Sequence, residues 1–156
     1  MIKRILFLVF FSYIVLFIPA VVSADDKVIE DENRLSEQEL EAIKKIKKDF
    51  QKTYDLGLED FKFVHNSSFD NKSSIQSKKS LKSIVMDIAN ESNFFDFPPI
   101  IYLNNSNGYI LEKKLNGENV LHTLELNNEK QIWEVKYKES KQGAQLEDLG
   151  LIENNN

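Results

Sequence analysis

Histidine and carboxylate side chains are the groups in this sequence that could do acid–base chemistry near neutral pH. The chain has two histidines, His65 and His122, and no cysteine. His122 lies in "VLHTLEL", where an imidazole could act as a general base beside a carboxylate. The same apolar surroundings suit a core histidine with one bonded ring nitrogen, which is the interpretation we favour. We therefore predict no catalytic residue, and His122 is the one candidate if the chain is a hydrolase.

Other chemical motifs point to structural roles. Two isolated histidines without cysteine predict no metal site, and the sequence lacks the glycine-rich motifs of nucleotide cofactor sites, so we predict no cofactor. The serines between Ser67 and Ser83 have neither a G-x-S-x-G elbow nor the S-x-x-K spacing of serine acylases. Asp96, in "FFDFPP", is the carboxylate closest to apolar residues, and its side chain is predicted to form a turn.

The N-terminus predicts export. Residues 1–24 have a short basic start, an apolar run, Pro19 and a Val-Ser-Ala cleavage site, which together indicate a secretory signal peptide. The apolar run is also long enough for an uncleaved single-pass anchor, which would make the chain a membrane-anchored accessory protein. N-terminal sequencing of the exported protein distinguishes these two, because cleavage predicts a start at Asp25. Residues 25–34 are predicted to form a flexible acidic leader.

Charge excludes one class of partner. Without residues 1–24, the chain has 18 basic and 25 acidic side chains, a net charge of about −7. An acidic domain has no general attraction to nucleic acid, so we predict no nucleic-acid partner. The absence of cysteine and the lysine- and asparagine-rich composition are typical of exported bacterial proteins.

The elements of residues 35–140 predict one α+β domain. Ser36 and Glu39 form a capping box, and apolar residues at helical spacing follow until Gly57, the predicted left-handed C-cap. A short strand, "LEDFKFVHN", and a second amphipathic helix, "SKKSLKSIVMDIANES", come next. Residues 141–156 are predicted to be a tail with a short docked helix and a disordered end.

The region from Ile100 to Glu139 predicts an antiparallel meander of about four strands. Asn116-Gly117 favours a two-residue type I′ hairpin, which would place Leu111 opposite His122. That register predicts one apolar sheet face, covered by both helices, and one polar face exposed to solvent. The apolar face would include Trp133 and His122, together with Tyr109, Leu111, Val120, Leu124, Val135 and Tyr137.

These features favour a small exported, non-enzymatic binding or inhibitory module at the cell envelope or outside the cell. Its partner would be a protein, and it would touch a membrane only through an uncleaved N-terminal segment. The alternative is a small secreted hydrolase that uses His122 with a carboxylate. The predicted binding surface is the polar sheet face, which comprises Glu112, Lys114, Glu134, Lys136 and Lys138.

Overall fold

Two helices and five strands make up the fold in a computed structural model, which describes residues 35–65, 76–93 and 96–152. The helices are α1 (Glu37–Tyr54) and α2 (Gln76–Glu91). The strands are β1 (Lys62–Val64), β2 (Ile100–Leu103), β3 (Asn107–Lys113), β4 (Glu118–Asn127) and β5 (Ile132–Gln142). They form one antiparallel sheet in the order β1-β2-β3-β4-β5. The predicted α+β class is confirmed, with β1 joining the meander as a fifth strand.

Helix α1 begins at the predicted cap. The Ser36 hydroxyl accepts from the backbone N–H of Glu39, and the Glu39 carboxylate accepts from the backbone N–H of Ser36. The C-terminal prediction is wrong, because Asp55, with a φ of 52°, takes the left-handed position instead of Gly57. Aspartate tolerates this conformation better than most residues with a side chain, so the helix ends earlier than a glycine-based prediction allows.

The two helices pack on opposite faces of the sheet. Along β3, Ile110 packs with the residues of α2, whereas Leu111 packs with those of α1. Successive strand residues point to opposite faces, so each face has its own apolar core. The prediction that both helices cover one face is therefore wrong. On the α1 face the buried cluster is Ile46, Phe50, Leu58, Ile100, Tyr102, Leu111 and Leu121. On the α2 face it is Val64, Leu81, Val85, Ile88, Ile101, Ile110, Leu124 and Trp133.

The turn between β3 and β4 explains this correction. Lys114 and Glu118 close a three-residue loop, with the N–H of Lys114 donating to the carbonyl oxygen of Glu118 at 2.9 Å. Gly117 has a φ of 84° and donates to the carbonyl oxygen of Lys114, which is the pattern of a type I turn followed by a glycine bulge. The loop is one residue longer than a type I′ turn, so every pair shifts by one and His122 faces Ile110, not Leu111.

The β4–β5 connection places Trp133 inside the fold. Asn127 pairs with Ile132 across a four-residue loop, and Trp133, which was predicted to lie in the core, is 8% exposed. A β-bulge follows, because Leu124 pairs with Val135 while Thr123 pairs with Tyr137, leaving Lys136 as the extra residue. Tyr137 therefore moves to the α1 face. The predicted core positions of Val135 and Tyr137 are wrong, since they are 42% and 74% exposed.

The segment after β5 returns to the α1 face. Leu146 is buried. A hydrogen-bonded turn after it brings Leu149 and Leu151 into contact with the α1-face cluster. Across the described residues, neither helix has the length and apolar character needed to cross a membrane. The predicted signal peptide (1–24) and leader (25–34) lie outside the described residues, as do residues 153–156.

Candidate functional site

The five residues predicted to form one polar face are divided between the two faces. Glu112 and Lys114 lie on the α2 face, where Glu112 is only 3% exposed. Lys138 lies opposite His122 on that same face, at the outer strand. Glu134 lies on the α1 face, and the bulge residue Lys136 contacts it at 2.8 Å. The structure therefore gathers Glu112 and Lys114 into a buried network and leaves the β5 residues at the surface.

The network on the α2 face is centred on Glu112. One of its carboxylate oxygens is hydrogen-bonded to Nε2 of His122, which is 3% exposed. The other oxygen lies 2.5 Å from Lys114 Nζ and accepts from the Ser92 hydroxyl at 3.2 Å. Burial alone would raise the pKa of Glu112, but its bonds to His122 and Lys114 outweigh burial and lower the pKa to about 2. Glu112 is therefore an ionised acceptor for both partners.

Asp96 joins this network from the connector before β2. Its carboxylate accepts from the backbone N–H groups of Asn93 and Leu115, both at 2.9 Å, and lies 3.4 Å from Lys114 Nζ. Burial would raise the pKa of Asp96, but the two backbone hydrogen bonds and Lys114 outweigh it and lower the pKa. Asp96 thus has the predicted turn-forming role and also fastens the connector to the β3–β4 turn.

His122 and Glu112 form the imidazole–carboxylate pair that a hydrolase would require, but their arrangement lacks an activated nucleophile. The nearby Ser92 hydroxyl bonds to Glu112 and to the carbonyl oxygen of Ile88, so it is directed toward oxygen acceptors and not toward the imidazole. Nucleophilic catalysis requires the hydroxyl to bond the base that removes its proton. The geometry is that of a buried structural network.

A second network lies on the opposite face and is centred on Lys113. This lysine is fully buried, and its ammonium donates to Asp49 at 2.7 Å, to Asn119 Oδ1 at 2.8 Å and to the carbonyl oxygen of Gly117 at 2.9 Å. These three acceptors use the donor capacity of the ammonium. Asn119, also fully buried, donates in turn to Asp49 at 2.8 Å and to Thr53 at 3.1 Å. The network joins α1 to the β3–β4 hairpin.

Asp49 extends this network to the C-terminal segment. Its carboxylate accepts from the backbone N–H of Ala144, at 3.1 and 3.3 Å for its two oxygens. Burial would raise the pKa of Asp49, but hydrogen bonds from Lys113, Asn119 and Ala144 outweigh it and lower the pKa. The preceding Gly143 lies so close to Asp49 and Asn119 that a Cβ atom there would collide with both. A glycine is required because the backbone must approach the buried carboxylate.

Sequence reasoning missed Asp49, Lys113 and Asn119. Each occurs in a charged or polar stretch, "KKDF", "EKKL" or "GENV", that is typical of an exposed surface. Burial of Lys113 and Asn119 follows from the three-residue turn, which directs both toward α1. The remaining signal is the position of Asn119 directly before the apolar-rich strand sequence "VLHTLEL", which by itself indicates no partner.

The outer half of β5 is a continuous exposed stretch that carries charged residues and the exposed ring of Tyr137. Every residue from Val135 to Gln142 is exposed, although the strand stays paired with β4 as far as Gln142. Tyr137 projects from the α1 face beyond the area that α1 covers. Beside it, Lys136 lies 2.8 Å from Glu134 and 3.6 Å from Glu125. We call these four residues, Glu125, Glu134, Lys136 and Tyr137, the Tyr137 strip.

Neither of the polar networks forms an open ligand site. Among the described residues, every buried side-chain nitrogen or oxygen has a hydrogen-bond partner, and no group of three or more metal-ligating side chains comes together. Comparisons with protein-family models, curated proteins and solved structures found no match to this chain.

The Lys113–Asp49 pair generates a stability prediction. Asp49→Ala should lower the free energy of unfolding by about 3–5 kcal/mol, because it leaves the Lys113 ammonium buried without its carboxylate. Lys113→Met should also destabilise the fold, but the double variant should lose less than the sum of the two. Urea denaturation measures all three, with Lys48→Met on the exposed side of α1 as the control. Additive losses would show that the pair does not act as a unit.

The lowered pKa of Glu112 predicts acid sensitivity. Its pKa falls from an ordinary 4.5 to about 2, so its contribution to stability is complete above about pH 4.5 and is lost as the pH falls toward 2. Glu112→Gln should have a lower free energy of unfolding than wild type at pH 7. The difference between the two free energies should narrow between pH 4.5 and 2. Denaturant titrations at a series of pH values test this, with exposed Glu129→Gln as the matched control. A constant difference would contradict the prediction.

Proposed function

We propose that this chain is a small exported, non-enzymatic module that binds a protein partner at the cell envelope or outside the cell. The recognition surface is the Tyr137 strip, with Tyr137 as its anchor and with Glu125, Glu134 and Lys136 around it. Lys138, which was also predicted to bind, lies on the opposite face of the sheet. Glu112 and Lys114, which were predicted to belong to this surface, support the sheet from inside. Export rests on the features of residues 1–24, with the uncleaved anchor as the alternative form.

The observation that carries the proposal is the exposure of Tyr137 on a regular strand. Its side chain is 74% exposed, and the bulge at Lys136 turns it from the face that holds Trp133 to the α1 face. Bulges recur where a strand must re-aim a side chain. Tyrosine is enriched at protein interfaces because its ring supplies a large contact area and its hydroxyl a hydrogen bond. The pairing of β5 with β4 fixes the backbone position from which this ring projects.

The charges around Tyr137 favour a protein partner over an anionic polymer. Lys136 is matched by Glu134 and Glu125, and Lys141 lies 3.0 Å from Glu139. A surface of alternating sign has little net attraction for a polyanion, whereas it can select a partner with the complementary pattern. The proposed partner is therefore a folded protein with an apolar pocket bordered by mixed charges.

Capture of the partner, followed by a comparison of variants, tests this function. Wild-type protein should recover one specific envelope or extracellular protein, and Tyr137→Ala should weaken that complex by at least about tenfold, which is typical of an aromatic anchor. Met86→Ala is the matched control, because Met86 is 52% exposed but belongs to α2 on the other side of the sheet. Equal affinity of both variants would reject the Tyr137 strip as the binding surface, provided that their thermal melts agree.

A secreted hydrolase is the second candidate, favoured by the hydrogen bond between His122 and Glu112. A hydrolase would need a substrate to reach a side chain that is 3% exposed. His122→Gln separates the two functions: it should lower a hydrolytic turnover by orders of magnitude, whereas a binding module should lose only stability. Partner affinity and turnover of generic ester and peptide substrates, measured on the same protein, give the answer. Undiminished binding without turnover supports the binding module.

A further inference from the structure

The outer edge of β5 carries backbone groups that the sheet leaves open. The hydrogen bond from Lys114 N–H to the carbonyl oxygen of Glu118 fixes the alternation along β4, so Val120 and His122 bond toward β3. Asn119, Leu121 and Thr123 therefore bond toward β5, to the residues that pair with them. The residues of β5 between those partners, Lys138 and Ser140, direct their N–H and C=O groups away from the sheet.

The ends of this edge are closed by the fold itself. At one end the outward N–H of Trp133 donates to the Ser80 hydroxyl of α2 at 2.8 Å. At the other end the chain leaves the edge at Gly143, whose N–H bonds to the carbonyl oxygen of Gly117 at 3.0 Å. Between the bulge at Lys136 and Gly143, the regular stretch of residues 137–142 is exposed. The opposite edge of the described sheet, β1, is only three residues long.

We propose that a second copy of this chain pairs with this stretch, antiparallel, with Ser140 at the two-fold axis. Antiparallel pairing of identical edges is isologous, so the axis is perpendicular to the sheet and each face continues into the same face of the second copy. Residues directly opposite each other must then come from the same face, and residues that point outward must meet each other. These two conditions require the two-fold axis to pass through a residue of the stretch and not between two residues.

Charge selects one register among these. An axis at Lys138, Glu139 or Lys141 sets that residue opposite its own copy, which places like charges in direct contact. An axis at Ser140 sets Glu139 opposite Lys141 of the second copy, and the symmetry makes this pair twice. Lys138 then faces Gln142, so no like charges are opposed along residues 138–142. An axis at Tyr137 sets Lys138 opposite Lys136, which again opposes like charges, and an axis at Gln142 sets the stretch opposite residues from Gly143 onward, where the chain has left the edge. The register at Ser140 is therefore the one in which the stretch pairs with itself without opposing like charges.

This pairing goes beyond the proposed function, because it uses the backbone edge of β5 while the partner uses its face. The position opposite Tyr137 is Gly143 of the second copy, which has no side chain to cover the ring. The dimer would form one continuous sheet that presents two Tyr137 strips on the same face. A partner with repeated binding sites would then be held by two contacts at once.

Analytical ultracentrifugation tests the dimer. The chain is expressed from Met1 and purified as the cell delivers it, then examined from about 10 µM to about 1 mM, the range of weak interfaces with small buried area. Wild type should show a concentration-dependent dimer. Glu139→Lys and Lys141→Glu should each weaken it by about tenfold or more, since each opposes like charges, and the double variant should recover wild-type association. Glu129→Lys, an exposed charge change in the β4–β5 loop, is the control.

Ser140→Pro removes the outward N–H at the axis and should abolish the dimer. Circular dichroism melts confirm that each variant is folded. A wild-type chain that is monomeric throughout this range, or single variants that the double variant does not rescue, would overturn the proposal. A dimer unaffected by Ser140→Pro would show that association uses another surface. The proposed function is tested separately by Tyr137→Ala, because the Tyr137 side chain lies on the sheet face and its removal leaves the backbone edge of β5 unchanged.

Discussion

The contact between Lys113 and Asp49 is the constraint on which the rest of the α1 face depends. A fully buried ammonium is tolerated only when its donors are used, and here the three acceptors come from α1, from the β3–β4 turn and from β4. Asp49 also holds the backbone N–H of Ala144. One carboxylate thereby connects segments far apart in the chain, in a protein that has no cysteine with which to form a disulfide.

Consecutive charged residues at the end of β3 belong to polar networks on opposite faces of the sheet. Lys113 points toward α1, whereas its neighbours Glu112 and Lys114 join the network with His122 on the α2 face. The alternation of a strand separates these charges to opposite sides, and each side supplies an opposite charge. A stretch that resembles solvated surface in the sequence is therefore the polar centre of the domain. The Tyr54 hydroxyl, which donates to the carbonyl oxygen of Asn119 at 2.5 Å, adds a further link from α1 to β4.

The sequence predicted the elements well and their pairing less well, for a physical reason. The capping box at Ser36 and the start of the meander at Ile100 depend on local chemistry, and both are confirmed. The β3–β4 register depends on whether the loop has two or three residues, and Asn116-Gly117 is compatible with both. A sheet with one polar face would have fixed the choice. Here both faces are apolar, so Ile110 and Leu111 are equally suited to burial and the hydrophobic pattern does not resolve the register. The buried networks follow from that register, which is why they escaped prediction.

The bulge at Lys136 divides β5 into a part that packs in the core and a part that is exposed to solvent. Before it, β5 supplies Trp133 to the core. After it, the side chains point to solvent on either face and the interior needs little from them. Substitutions in the outer half of the strand should therefore cost the fold little, while they alter the pattern of charge and aromatic surface displayed there. The part of the molecule best placed to acquire a new specificity is thus the part whose change the core can most readily tolerate.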